Sequence, residues 1–107
     1  SMYKRIVLLK SPDTAALSVL LQELHGFPGH VPGLVSVEVI ADSGHRSLGF
    51  DQGFILTFID ESVLPDWREH PLHAAFRPRL RALSQMLIFD YPHTTTLLQE
   101  EGRHANV

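Results

Sequence analysis

Apolar and polar positions along the chain fall into segments of two periods. Tyr3 to Lys10 holds Ile6, Val7, Leu8 and Leu9 in succession between Lys4-Arg5 and Lys10, and Ser11-Pro12-Asp13 follows. A short, branched, continuous apolar run ended by a turn signal predicts a strand buried on both faces. Ser11 is the expected cap of the next helix, with Pro12 at its first position, where a missing N–H is harmless. Between Asp13 and His25, Leu17, Leu20, Leu21 and Leu24 recur at i, i+3, i+4 and i+7. That spacing predicts an amphipathic helix with one apolar stripe, ended by Gly26. Phe27 to Gly33 carries two Pro-Gly pairs and reads as a rigid connector. Leu34 to Ile40 alternates Val35, Val37 and Val39 with Ser36 and Glu38, the two-residue period of a second strand. After a polar loop from Ala41 to Gly49, Phe50 to Ile59 is the predicted third strand. A short helix is expected from Ser62 to about Glu69, with Pro65 in its first turn, and a longer one from Pro71 to about Leu83, with a kink at Pro78. Met86 to Tyr91 is the fourth strand. From residue 93 the chain is a polar tail in which Leu97 and Leu98 could dock.

The order strand, helix, strand, strand, helix pair, strand suits an α+β, ferredoxin-like subunit, a four-stranded antiparallel sheet with its helices on one face. This arrangement leaves a difficulty, because strands one, three and four are apolar on both faces and the helices cover only one. A bare apolar sheet face of several hundred Å2 is unusual on a soluble monomer. The economical cover is a second copy, sheet against sheet, and a homodimer is therefore expected.

Composition narrows the function without naming it. The 107 residues suit one small domain. With no cysteine, neither a disulfide nor a Cys-based zinc site is available. A formal charge of -3 gives no basic balance for holding nucleic acid, and the apolar runs are too short to span a bilayer. Ser1 ahead of Met2 reads as a residue left by tag cleavage, and no signal-peptide layout follows, so a cytoplasmic protein is expected. Seven histidines are many for this length. His25, His30, His45, His93 and His104 fall in predicted loops, turns or the tail, and no spacing gathers them into a ligand set. His70 and His73 would need a further protein ligand for zinc, so no metal site is assigned.

The stretch Asp66-Trp67-Arg68-Glu69-His70-Pro71-Leu72-His73-Ala74-Ala75-Phe76, followed by Ile88-Phe89-Asp90-Tyr91, is the most informative. His-Pro-x-His-x-x-Phe at this place in the order of elements resembles the stress-responsive A/B barrel (Dabb) family. Arg5-Ile6-Val7-Leu8-Leu9-Lys10 and the link around Val31-Pro32-Gly33-Leu34 are similar to that family too. The resemblance spans roughly residues 3 to 91, and a Dabb domain over residues 2–92 is expected. It implies a dimeric α/β barrel, in agreement with the uncovered face. Most members have no established activity. A few plant members cyclise linear polyketides with no metal or organic cofactor, using a histidine and a tyrosine in a pocket between sheet and helices, and related barrels carry out cofactor-free oxidations. The histidine of that pair falls on His73, the tyrosine on Trp67, and a first-strand histidine of such cyclases on Arg5.

His73 would sit near the third position of a helix opened by Pro71, where the helix dipole and Arg77 both disfavour a cation. A neutral imidazole in a cleft is what a general base requires. The other reading is a core-edge residue bonded to a backbone carbonyl. His70, before a proline, organises the helix junction or faces the pocket. Trp67 packs in the core or walls a site for an aromatic or aliphatic ligand. Arg5, Phe76 and Tyr91 complete the candidate ligand-binding set, with a structural hydrogen bond at the subunit boundary as the other role for the Tyr91 hydroxyl. Arg77, Arg79 and Arg81 read as a solvated basic face, with an anion site as the alternative. Two functions follow: a homodimeric module holding a small apolar or aromatic ligand, or a cofactor-independent enzyme with His73 as general base.

Overall fold

The structure is a computed structural model that describes residues 1–94. Its elements are β1 (Tyr3–Lys10), α1 (Thr14–Gln22), β2 (Leu34–Ala41), β3 (Gln52–Phe58), α2 (Leu64–Glu69), α3 (Pro71–Leu83) and β4 (Gln85–Pro92), with 3-10 turns over Glu23–Gly26 and Glu61–Val63. The strands form one sheet in the order β2-β3-β1-β4, antiparallel throughout. This is the expected ferredoxin-like arrangement. No helix among the described residues is long and apolar enough to cross a membrane.

All four leucines of the predicted stripe, Leu17, Leu20, Leu21 and Leu24, are buried. They pack over Val7, Leu9, Phe54, Leu56 and Phe58, the sheet residues that point toward the helices. Phe27 and Val31 of the connector join the same core, while Gly29, His30 and Pro32 stay exposed. Gly33 closes the connector at φ +83°, and its carbonyl accepts from the Ile59 N–H at 2.8 Å. That bond continues the Leu34–Phe58 register by one pair, just past Phe58, the last residue of β3. At the other end, the Phe50 N–H bonds the Ser47 carbonyl in a turn, so β3 begins at Gln52.

Helix starts differ from the expectation for one chemical reason: a nearby aspartate provides the better acceptor. Asp13, not Ser11, caps α1 by accepting from the Ala16 N–H at 3.0 Å, while Ser11 Oγ accepts from the Asp13 N–H. Asp60 accepts from the Ser62 N–H and starts the 3-10 turn that leads into α2. α3 runs on through Pro78, which is exposed.

The second sheet face has no helix over it. Antiparallel pairing places Ile6 beside Ile55 and Phe89, and Leu8 beside Leu87, on that side. Leu87 is 54% and Phe89 65% exposed, so the apolar face anticipated from the sequence is present and open. The tail expected from residue 93 begins with the His93 N–H bonded to the Met2 carbonyl. Its remainder from residue 95, with Leu97, Leu98 and His104, lies outside the described residues.

Candidate functional site

Pro71 determines the junction from which the site is built. It holds His70 in extended geometry, at φ -60° and ψ 135°, and so separates α2 from α3. His70 Nδ1 accepts from the Leu72 N–H at 3.1 Å, capping α3 in the manner usual for Asn or Asp. One turn into α3, His73 comes back against α2. Its ring lies 4.5 Å, centroid to centroid, from Trp67 at 34°, and Nδ1 is 3.1 Å from the Arg68 carbonyl. A carbonyl only accepts, so Nδ1 carries the proton and Nε2 keeps the lone pair. Burial pushes the His73 pKa below its ordinary value of 6.5. The bond to Arg68 opposes this, and the charges of Arg77, Arg5 and Arg68 push it down further. The imidazole is therefore neutral at pH 7, as the sequence implied, with burial rather than the helix dipole as the leading cause.

Beside His73, a cavity of about 470 Å3 opens between the sheet and the helices α2 and α3. Val7, Phe54 and Leu56 form its floor, and Trp67, Phe76 and Leu80 its inner wall. The volume lies within the roughly 300–1,000 Å3 common for small-molecule sites. Trp67 and Phe76 are themselves immobilised, since Phe27 touches both rings and Phe58 packs on the indole. Met86 and Ile88 line the side toward the edge strand β4, where the helices do not reach.

Four of the six residues proposed from sequence, Arg5, Trp67, His73 and Phe76, line this cavity together. Two do not. His70 is occupied as the helix cap described above. Tyr91 pairs with Lys4 and projects from the opposite sheet face, where its ring lies 5.9 Å from Phe89. The reason is the two-residue period of a strand: Asp90 faces the helices, so Tyr91 cannot. Asp90 grips Arg5 in a two-pronged ion pair, Nε to Oδ1 at 2.8 Å and the second nitrogen to Oδ2 at 2.9 Å. Arg5 is thus fixed in place at the cavity wall.

The cavity is also lined by arginines outside the candidate set drawn from the sequence. Arg68, Arg77 and Arg81 all line it. The run Arg77, Arg79, Arg81 is split by helical geometry. Arg79 turns to the 3-10 turn that follows α1 and pairs with Glu23 at 2.7 Å, whereas Arg77 and Arg81 continue the stripe begun by His73 at i+4 and i+8. That spacing was visible in the sequence; Arg68 had no comparable signal. Among the described residues, no group of three His, Asp or Glu side chains is placed to hold a metal ion.

The family model for the stress responsive A/B barrel domain matches residues 3–93. The chain belongs to this family. No curated protein matches the Dabb chain in sequence. Among solved structures, a dimeric ferredoxin-like protein of unknown function from Jannaschia sp. superimposes with TM-score 0.76 at 22% identity, covering 87% of this chain and all of that one. A Dabb family protein from Mesorhizobium loti gives TM-score 0.72 at 19% identity over 88% of this chain and 98% of that one. SnoaB from Streptomyces nogalater, a cofactor-independent oxygenase, gives 0.73 at 15% identity over 90% and 96%. At these identities, what the Dabb chain shares with them is the fold.

Proposed function

We propose that this Dabb protein is a homodimer whose subunits each bind one small, mostly apolar ligand in the cavity beside His73. The observation that carries the reading is the cavity itself: an apolar floor and wall with polar groups confined to a few positions, the usual make-up of a small-molecule site. Dimerisation is supported by the open face of Ile6, Leu8, Ile55, Leu87 and Phe89, and by similar folds described as dimeric. Native mass spectrometry on protein purified from its organism of origin tests both parts. The expected result is twice the chain mass with a small molecule retained. A monomer mass independent of concentration contradicts the dimer, and a bare protein mass after gentle purification contradicts the retained ligand.

A second reading makes the same cavity an active site, with His73 as general base for cofactor-independent cyclisation, isomerisation or oxidation. Its specific support is the tautomer, a neutral ring with Nδ1 tied to Arg68 and Nε2 left as a base, together with a similar fold that is a cofactor-independent oxygenase. In that case Arg5, held by Asp90, is the second polar group across from the imidazole. A positioned base contributes about a hundred- to ten-thousand-fold to a rate. Loss of that size in His73→Ala, with binding retained, is the expected outcome, and unchanged turnover refutes the assignment.

A further inference from the structure

The chain carries twelve acidic residues against nine basic ones, yet its cavity is lined by four arginines and by no aspartate or glutamate. Arg5 has its carboxylate in Asp90, and Arg79, on the same helix as two of the others, has one in Glu23. Arg68, Arg77 and Arg81 have none within ion-pair distance among the described residues. These same three side chains also line the shallow groove next to the cavity, which places them at its mouth between the apolar interior and solvent. Glu69 lies on that groove without pairing to any of them. Three positive side chains lining one rim with no carboxylate paired to them make that rim electrostatically complementary to an anion.

Resting on the binding reading above, we propose that the ligand is an amphiphilic anion, an apolar body in the cavity ending in a carboxylate seated between Arg68, Arg77 and Arg81. A carboxylate is the planar match to a guanidinium fork, and a paired contact of this kind is both stronger and more directional than a neutral hydrogen bond. The head then lies at the mouth and the apolar body runs inward past His73 toward Phe54 and Leu56. This order fits the grading of the lining, with Arg68 and Arg81 exposed, Arg77 intermediate and Phe76 buried.

Calorimetric titration with 4-phenylbutyrate and with 4-phenylbutanol, which differ in the charged head, tests the proposal. The carboxylate is expected to bind at least about tenfold more tightly than the alcohol, with a preference that shrinks as salt is added. In Arg77→Gln/Arg81→Gln the preference is lost while alcohol binding stays. Arg79→Gln, which removes a guanidinium from the same helix away from the cavity, keeps it. Circular dichroism of each variant verifies the fold. Equal binding of both probes to the unmodified protein overturns the anionic head and leaves the binding reading standing. Failure of both probes to bind overturns the proposal and counts against the binding reading as well. A preference that survives in the double variant overturns the assignment to Arg77 and Arg81.

Discussion

Phe89→Asp is the sharpest perturbation of the open sheet face. A phenylalanine presents about 150–250 Å2 of burial, and Phe89 is 65% exposed, so roughly 100–160 Å2 per subunit remains for a partner to cover. At about 25 cal/mol per Å2 this is about 2.5–4 kcal/mol. In a two-fold dimer the same surface is used twice, which doubles the loss to about 5–8 kcal/mol before the desolvation of two carboxylates is counted. Each ~1.4 kcal/mol is tenfold in a dissociation constant, so dimerisation should weaken by more than about a thousandfold. Sedimentation velocity over a range of concentrations provides the assay, with circular dichroism to confirm that the variant is folded. Val19→Asp is the control, since Val19 is also largely exposed but lies on α1, away from the sheet face. The variant at 89 should sediment as a monomer where the unmodified protein and the variant at 19 sediment as dimers. A Phe89→Asp protein that dimerises at the same concentrations refutes the sheet-to-sheet interface.

Three further outcomes follow from the geometry. The His73 ring proton, assigned by comparison with His73→Gln, should titrate in NMR with a midpoint below 6.5, because burial disfavours the cation. Since the folded value lies below the unfolded one, the stability this residue contributes is complete above about pH 6.5 and is lost progressively as the pH falls from there through the folded value, a slope that His73→Gln should flatten. Gly33→Ala should cost about 2–4 kcal/mol, from a positive φ that disfavours a side chain and a Cβ that would stand 2.8 Å from Val63 Cγ1. Gly29→Ala has the same backbone strain but nothing within 4 Å, and its smaller drop in thermal stability isolates the Val63 contact; equal drops refute that contact. Ligand entry should change the emission of Trp67, the single tryptophan, which walls the cavity against His73; an unchanged spectrum at saturating ligand contradicts binding there.

The fold was largely legible in the sequence because its determinants are local. The leucine stripe of α1 and the two-sided apolar strands each announce their period, and the excess of apolar strand surface over available helices announced the open face. Boundaries were less legible where two acceptors compete, as Ser11 does with Asp13, or where a turn bond such as Phe50 to Ser47 precedes a strand. At the candidate site, the family pattern points to His73, Trp67, Phe76 and Arg5, which line one cavity, whereas Tyr91, a candidate of the same set, lies on the other sheet face. Adjacent residues of a strand diverge, and only the pairing of Asp90 with Arg5 decides which of the two looks inward. The arginines were hidden for the opposite reason. Three basic residues at alternate positions look like one charged face until the 3.6-residue turn sends Arg79 to Glu23 and the others to the cavity mouth.

Ligand binding in the cavity beside His73 is tested most directly by a crystal structure of protein purified from its organism of origin without any step that strips ligand. Electron density for a small molecule is expected between the sheet and α3, touching Phe54 and Phe76 and within reach of His73 Nε2. Density lodged instead between the two facing sheets of the dimer, or a cavity closed by rearranged Trp67 and Leu80, would contradict it.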